Sequence, residues 1–161
     1  MPSSHFAAFL EATRGLSREA RVLGDESLVD PPSLDFGYDS TPANAVTFAT
    51  MGVDGVHYAL LSEDGQLSNG SPVVQVSPMD FDQPVIVLAS CFLEYLAVGC
   101  SLPVSEVEIL LSRRAITSQE LVKLLASRFD QSRLYADEQR LEELTRNYLA
   151  KVVPRSAASD A

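Results

Sequence analysis

Three Asp-Gly or Asn-Gly pairs set between short apolar runs do most to limit what this chain can fold into. From residue 47 it reads Thr47-Phe48-Ala49-Thr50-Met51-Gly52-Val53-Asp54-Gly55-Val56-His57-Tyr58-Ala59-Leu60-Leu61, then Asp64-Gly65, Asn69-Gly70 and Pro72-Val73-Val74-Gln75-Val76. Such pairs favour tight hairpin turns because Gly, and to a lesser degree Asn and Asp, enter positive φ at small cost. The pattern predicts a β-meander with strands over Ala45–Thr50, Val56–Leu61 and Val73–Val76. Alternation puts Val56, Tyr58 and Leu60 on one face of the second strand, and His57, Ala59 and Leu61 on the other. After the loop Ser77–Pro84, the β-branched run Val85–Ala89 predicts a short buried strand.

The flanks read as helix. Phe6, Phe9, Leu10 and Thr13 recur at helical spacing after a capping Ser3 or Ser4, with Gly15 as the stop. Gly24–Pro32 is polar and proline-bearing and reads as a loop. The irregular stretch 34–45 carries Phe36 and Tyr38, whose burial is worth about 2 kcal/mol each, so it is expected to pack over the sheet. Near Ser90 the period becomes helical, through Phe92, Tyr95 and Leu96 to Gly99. Further helices are expected over Val104–Arg113 and from the capping box Thr117-Ser118-Gln119-Glu120 through Leu121, Leu124 and Leu125. A last helix, capped by Asp137, would use Leu141, Leu144, Tyr148 and Val152. The fold class is therefore α+β: a mostly antiparallel meander sheet packed by N-terminal and central helices, with a helical C-terminal extension. One domain over 1–153, the extension beginning at 102, and a disordered tail over 154–161 complete the organisation.

Bulk properties narrow the function. Twenty-two acidic residues against 12 basic ones give a net charge of -10, which argues against nucleic acid, whose phosphates need clustered Lys and Arg. The same charge admits a basic protein partner, since opposite fields steer encounter. No apolar run approaches the ~20 residues that cross a bilayer, and the start Met1-Pro2-Ser3-Ser4-His5 lacks a secretory pattern. The expectation is a cytoplasmic protein without membrane association. Cys91 and Cys100, nine residues apart, have no CxxC partner and read as small buried hydrophobes, so no metal site is expected.

Few residues hint at chemistry. His57 beside the Asp54-Gly55 turn reads first as a strand histidine satisfied by a polar neighbour; the functional alternative is a general base oriented by Asp54, Asp80 or Asp82. Asp80-Phe81-Asp82, with Asp35 and Asp39, offers hard oxygens but lacks the rhythm of a calcium loop. It reads as a solvated acidic loop anchored by Met79 and Phe81. Nucleophile-elbow, phosphate-loop, HExxH and dinucleotide motifs do not occur, and no cofactor is expected. Glu138, Glu142 and Glu143, interleaved with Arg140 and Arg146, read as a solvated helix face.

The order of these pieces resembles the SUKH superfamily, which includes cell-wall-assembly regulators and bacterial immunity proteins. The resemblance rests on Phe9-Leu10, Asp54-Gly55 followed by Tyr58 and Leu60, Pro72-Val73-Val74, and Phe92-Leu93-Glu94-Tyr95-Leu96, and covers about residues 4–97. Cys91 stands where the family usually has Ser, tryptophan is absent, and the helices after Ser101 have no counterpart. The resemblance implies an α+β protein-binding domain, most often one that neutralises a toxin, with no catalytic residues. Together the readings predict a non-enzymatic acidic binding module, monomeric or homodimeric, whose partner is a protein such as a basic toxin. Its expected contact surface gathers Phe36, Tyr38, Asp39, Asp54, Asp80 and Asp82, because aromatic anchors ringed by charge suit an interface. The alternatives are a small ligand-binding protein or hydrolase using His57, and a structural homodimer joined through the C-terminal helices.

Overall fold

Both Asp-Gly pairs turn the chain as their chemistry requires. In the computed structural model, Asp54 and Gly55 have φ of 54° and 72°, and Asp64 and Gly65 have φ of 51° and 76°. Two successive residues at positive φ are the condition for a turn whose twist matches its flanking strands. Across the second pair, Glu63 and Gln66 exchange both backbone hydrogen bonds at 2.9 Å. Asn69-Gly70 differs: neither residue is at positive φ. There the Ser68 and Ser71 hydroxyls accept from the Gly70 and Ser68 amides, which closes the turn without left-handed backbone.

The described residues are 4–14, 22–23, 26–97 and 138–155. They form helix α1 (His5–Thr13), strands β1 (Val22–Leu23), β2 (Glu26–Ser33), β3 (Ala45–Thr50), β4 (His57–Leu61), β5 (Val73–Val76) and β6 (Val85–Ala89), then helices α2 (Phe92–Ala97) and α3 (Glu138–Tyr148). The strands form one antiparallel sheet in the order β1 to β6. The expected α+β class and meander are thus present. Among the described residues no helix is long and apolar enough to cross a membrane. The helices expected over 104–113 and 117–125, and the tail beyond Arg155, lie outside the described residues.

One expectation is overturned. The proline-bearing stretch read as a loop is strand β2. Its pairing to β3 is Ser27 with Thr50, Leu28 with Ala49, then Ser33 with Thr47, with a register shift between. Pro31 and Pro32 fall inside that shift, where no ladder hydrogen bond is required of them. A polar strand with two prolines carries no alternation to read.

The sheet is covered on both faces. On one, α1 and α2 pack Phe6, Phe9, Phe92 and Tyr95 against Phe48, Tyr58, Leu60, Val73 and Leu88. The rings of Phe6, Phe9 and Phe48 meet that of Phe92 edge-on at 5.1, 5.0 and 5.6 Å, the geometry that aromatic quadrupoles favour. On the other face, Leu144 of α3 is buried against Ala45, Ala59, Leu61, Val74, Val76 and Val87, with Leu141, Tyr148 and Val152 beside it. The expected apolar stripe of the last helix is therefore the one that docks. The chain after α3 is held by Asn44, whose side chain donates to the Lys151 carbonyl at 2.9 Å and accepts from the Val153 amide at 3.0 Å. Near β6 the two layers are joined by an ion pair between Glu94 of α2 and Arg140 of α3, at 2.7 Å.

Candidate functional site

Topology gathers the turns of interest. His57, the first residue of β4, pairs with Thr50 at the end of β3 and with Val76 at the end of β5, and Val76 pairs with Val85 at the start of β6. The β3–β4 turn (51–56) and the β5–β6 loop (77–84) therefore lie side by side at one end of the sheet. The stretch before β3 reaches the same end over the second face. The Phe36 ring centroid lies 4.6 Å from that of His57, and the Tyr38 ring stacks on His57 at 5.7 Å. Tyr38 also lies on Gly55 so closely that a Cβ there would sit 2.6 Å from its ring. Gly55 thus serves both its positive φ and this approach. Phe36 and Tyr38 are brought to this end by contact, and Asp54, Asp80 and Asp82 by topology. Asp39 lines a groove with Pro84 and Val85 on the same side.

His57 is fully buried and both ring nitrogens are engaged. Nδ1 lies 2.7 Å from the Gly55 carbonyl and Nε2 3.0 Å from Thr41 Oγ1. A carbonyl can only accept, so Nδ1 carries the hydrogen; a neutral ring then accepts at Nε2 from the Thr41 hydroxyl. Burial lowers the His57 pKa, against a smaller opposing effect of the Gly55 carbonyl. No carboxylate is among its hydrogen-bond partners in the described residues, so the acid–base arrangement considered for it with Asp54, Asp80 or Asp82 does not form. What the residue does is bind the 36–41 stretch to the sheet. Its folded pKa lies below the ordinary 6.5, so its contribution to stability is complete above that value and is lost as pH falls below it. Melting temperatures of the wild type are expected to drop between pH 7.5 and 5.5 more steeply than those of His57→Gln. Parallel profiles would show that His57 does not carry this dependence.

The acidic residues differ in what holds them. Asp54 is exposed at the turn itself. Asp80 Oδ1 accepts the Asp82 and Gln83 amides at 3.2 and 3.1 Å, folding its own loop. Asp82 is exposed. Among the described residues no three His, Cys, Asp or Glu side chains gather to hold a metal ion.

Sequence reasoning missed the apolar part of this surface. Met79 and Phe81, read as anchors of the acidic loop, are 65% and 85% exposed, and Val53 at the neighbouring turn is 61% exposed. A Met-Asp-Phe-Asp stretch looks the same whether its apolar residues point in or out. The signal that could have found them is the length of the loop: eight residues between strands already paired to each other leave no core for its tip to reach. Tyr38 is a further partly exposed ring at this end. Comparison of the chain with protein-family models, with curated proteins and with solved structures returns no match.

Proposed function

We propose that this chain is a non-enzymatic protein-binding module, of the toxin-immunity or regulatory kind that the SUKH resemblance implies, and that it meets its partner with the loop end of its sheet. One observation carries the reading: Val53, Met79 and Phe81 are exposed on two adjacent turns whose charged residues are all acidic, Asp54, Asp80 and Asp82. Exposed large apolar residues grouped together and rimmed by charge mark interaction surfaces, whereas single ones need no explanation. Burial of such a side chain against a partner is worth about 1.5–3 kcal/mol, enough for two or three anchors to hold a complex. The carboxylates favour a partner of positive surface, whose attraction weakens as salt shortens the screening length. A cytoplasmic location belongs to the same reading.

The reading of a homodimer through the C-terminal helices has less support, because Leu141, Leu144 and Tyr148 of α3 already pack on this chain's own sheet. Its outward residues Glu138, Gln139, Glu142, Glu143 and Asn147 are polar.

The test is a comparative pull-down from the native cell extract at low and high salt. Bait proteins are the wild type, Phe81→Ser, and the triple variant Asp54→Asn, Asp80→Asn, Asp82→Asn. Asn keeps the turn-forming carbonyl oxygen at residue 80 and tolerates positive φ at residue 54, so the triple variant retains the fold. The expected result is a protein retained by the wild type at low salt, released as salt rises, and lost with either variant. An identical set of captured proteins with all three baits would exclude this surface.

A further inference from the structure

Asn69 and Gly70 lie in the β4–β5 loop (62–72), at the opposite end of the sheet from the β3–β4 turn. Both are exposed. The Asn69 side chain reaches across 64 residues of sequence: its Oδ1 accepts from the amide of His5, the first residue of α1, at 2.8 Å. That amide is one of those a helix leaves without an internal partner. Ser4, the N-cap, accepts another, from Ala7, at 3.1 Å. The same contact bears on a reaction within the Asn-Gly pair. An asparagine side-chain carbonyl is open to attack by the nitrogen of the next residue, most readily when that residue is glycine and has no Cβ to obstruct the approach. The His5 N–H, at the positive end of α1, draws density from this carbonyl and faces the oxygen on which negative charge develops. Ser68 Oγ accepts from the attacking Gly70 nitrogen at 3.1 Å; a hydroxyl can turn to donate to that nitrogen once its proton has gone. The leaving nitrogen, Asn69 Nδ2, has no hydrogen-bond partner among the described residues and, on an exposed side chain, meets water. The other two asparagines lack these conditions. Asn44 precedes buried Ala45, and both ends of its side chain are tied, to Ser62, Lys151 and Val153. Asn147 precedes Tyr148 within α3, where the next amide serves the helix's own hydrogen bonding.

We propose that Asn69 is a self-modification site, at which the Gly70 nitrogen displaces the Asn69 side-chain amide with the His5 amide of α1 assisting. The Gly70 amide gives its proton to solvent, and its nitrogen bonds to Asn69 Cγ. The Cγ–Nδ2 bond breaks, and Nδ2 takes a proton from solvent to leave as ammonia. Water then opens the cyclic imide at either carbonyl, giving aspartate or isoaspartate. The two products treat α1 differently. Aspartate keeps an acceptor at His5 and places a negative charge at the helix N-terminus, where it is favourable. Isoaspartate lengthens the main chain by one carbon inside a turn closed by hydrogen bonds between Ser68 and Ser71, which carries the acceptor away from the His5 amide. The modification therefore loosens α1 from the β4–β5 loop as the molecule ages. It stands apart from the protein-binding reading, which concerns the other end of the sheet.

The experiment is timed incubation of the full chain at neutral and mildly alkaline pH. Peptide mapping by mass spectrometry follows the conversion, and isoaspartyl-specific methyl transfer detects isoaspartate. Asn69 is expected to convert at least about tenfold faster than Asn44 or Asn147, and faster as pH rises, because the attacking nitrogen must lose its proton. Gly70→Ala should slow the conversion at least about tenfold. Its fold is secure, since Gly70 is not at positive φ and a Cβ there would meet only Ser68 Oγ, at 3.7 Å. His5→Pro removes the assisting N–H at a position that proline suits. Ser4, at φ -60° and ψ 157°, already has the extended backbone favoured before proline. This variant should convert about threefold more slowly or less. The isolated isoaspartate form is expected to melt below the wild type, and Asn69→Asp no lower than the wild type. The proposal is overturned if Asn69 converts no faster than the other asparagines, if Gly70→Ala or His5→Pro converts as fast as the wild type, or if the isoaspartate form melts as high as Asn69→Asp.

Discussion

Phe92→Ala is expected to destabilise the protein by about 3–5 kcal/mol, the range for truncating a buried core aromatic. Phe92 is 3% exposed and its ring meets those of Phe6, Phe9, Phe48 and Tyr95. These residues come from α1, β3 and α2, so the truncation opens a cavity where three elements converge. They cannot collapse into it without giving up edge-on contacts elsewhere. For a chain of this size the melting temperature should fall by roughly 10 °C. The matched control is Phe81→Ala, whose ring is 85% exposed; it should change stability by less than about 0.5 kcal/mol. Urea denaturation of both variants measures the difference. A cost at Phe92 below about 1 kcal/mol would mean that the aromatic cluster does not hold the α1–α2 layer to the sheet.

The contrast between these two phenylalanines shows how far the residues could be read in advance. Phe92 sits three residues before Tyr95 in a helical run, and that spacing identified its inward face. Phe81 has no periodic neighbours, and a loop residue's direction depends on what the loop can reach. The meander was legible because its signals are local: Asp54-Gly55 and Asp64-Gly65 need positive φ, and the apolar alternation through Tyr58 and Leu60 fixes a face. β2 was not legible, because Pro31 and Pro32 are tolerated only through a register shift that depends on its partner β3. At the loop end, the acidic and aromatic members could be named from composition. That Tyr38 would stack on His57 and Gly55 is a long-range contact and has no local signature. Asn44 and Glu94 were missed for the same reason. Each looks like an ordinary polar residue until the C-terminal segment is laid beside it, more than 40 residues later for Glu94 and more than 100 for Asn44.

Removing the partner of Glu94 should have the second large effect. Glu94 is 3% exposed, yet it is held charged. Burial pushes its pKa up, but the combined hydrogen bonds from Arg140 and Ser90, with the charge of Arg140, bring it below the ordinary value. Arg140 contacts it through Nε at 2.7 Å and Nη2 at 3.0 Å, while the Ser90 amide donates at 2.7 Å. Arg140→Ala leaves a buried carboxylate with Ser90 alone. Breaking such a pair costs about 3–5 kcal/mol when both partners are buried. Because Arg140 is 27% exposed and the Ser90 bonds survive, the lower end, about 2–3 kcal/mol, is expected. The pH dependence separates this account from a simple loss of packing. In the wild type the folded pKa of Glu94 is depressed, so its contribution is complete above the ordinary value of 4.5 and is lost as pH falls through the lower folded value. In Arg140→Ala burial is no longer outweighed to the same extent, and protonation relieves the variant rather than harming it. The stability gap between the two proteins should therefore be widest near neutrality and narrow as pH falls below 4.5. Replacing both residues by leucine should restore much of the loss, since an apolar pair of similar volume leaves no charge to solvate. Denaturant midpoints of the three proteins at pH 7 and pH 3.5 decide the matter. A gap that does not change with pH would assign the effect to packing of α3 on the sheet, not to the ion pair that ties it to α2.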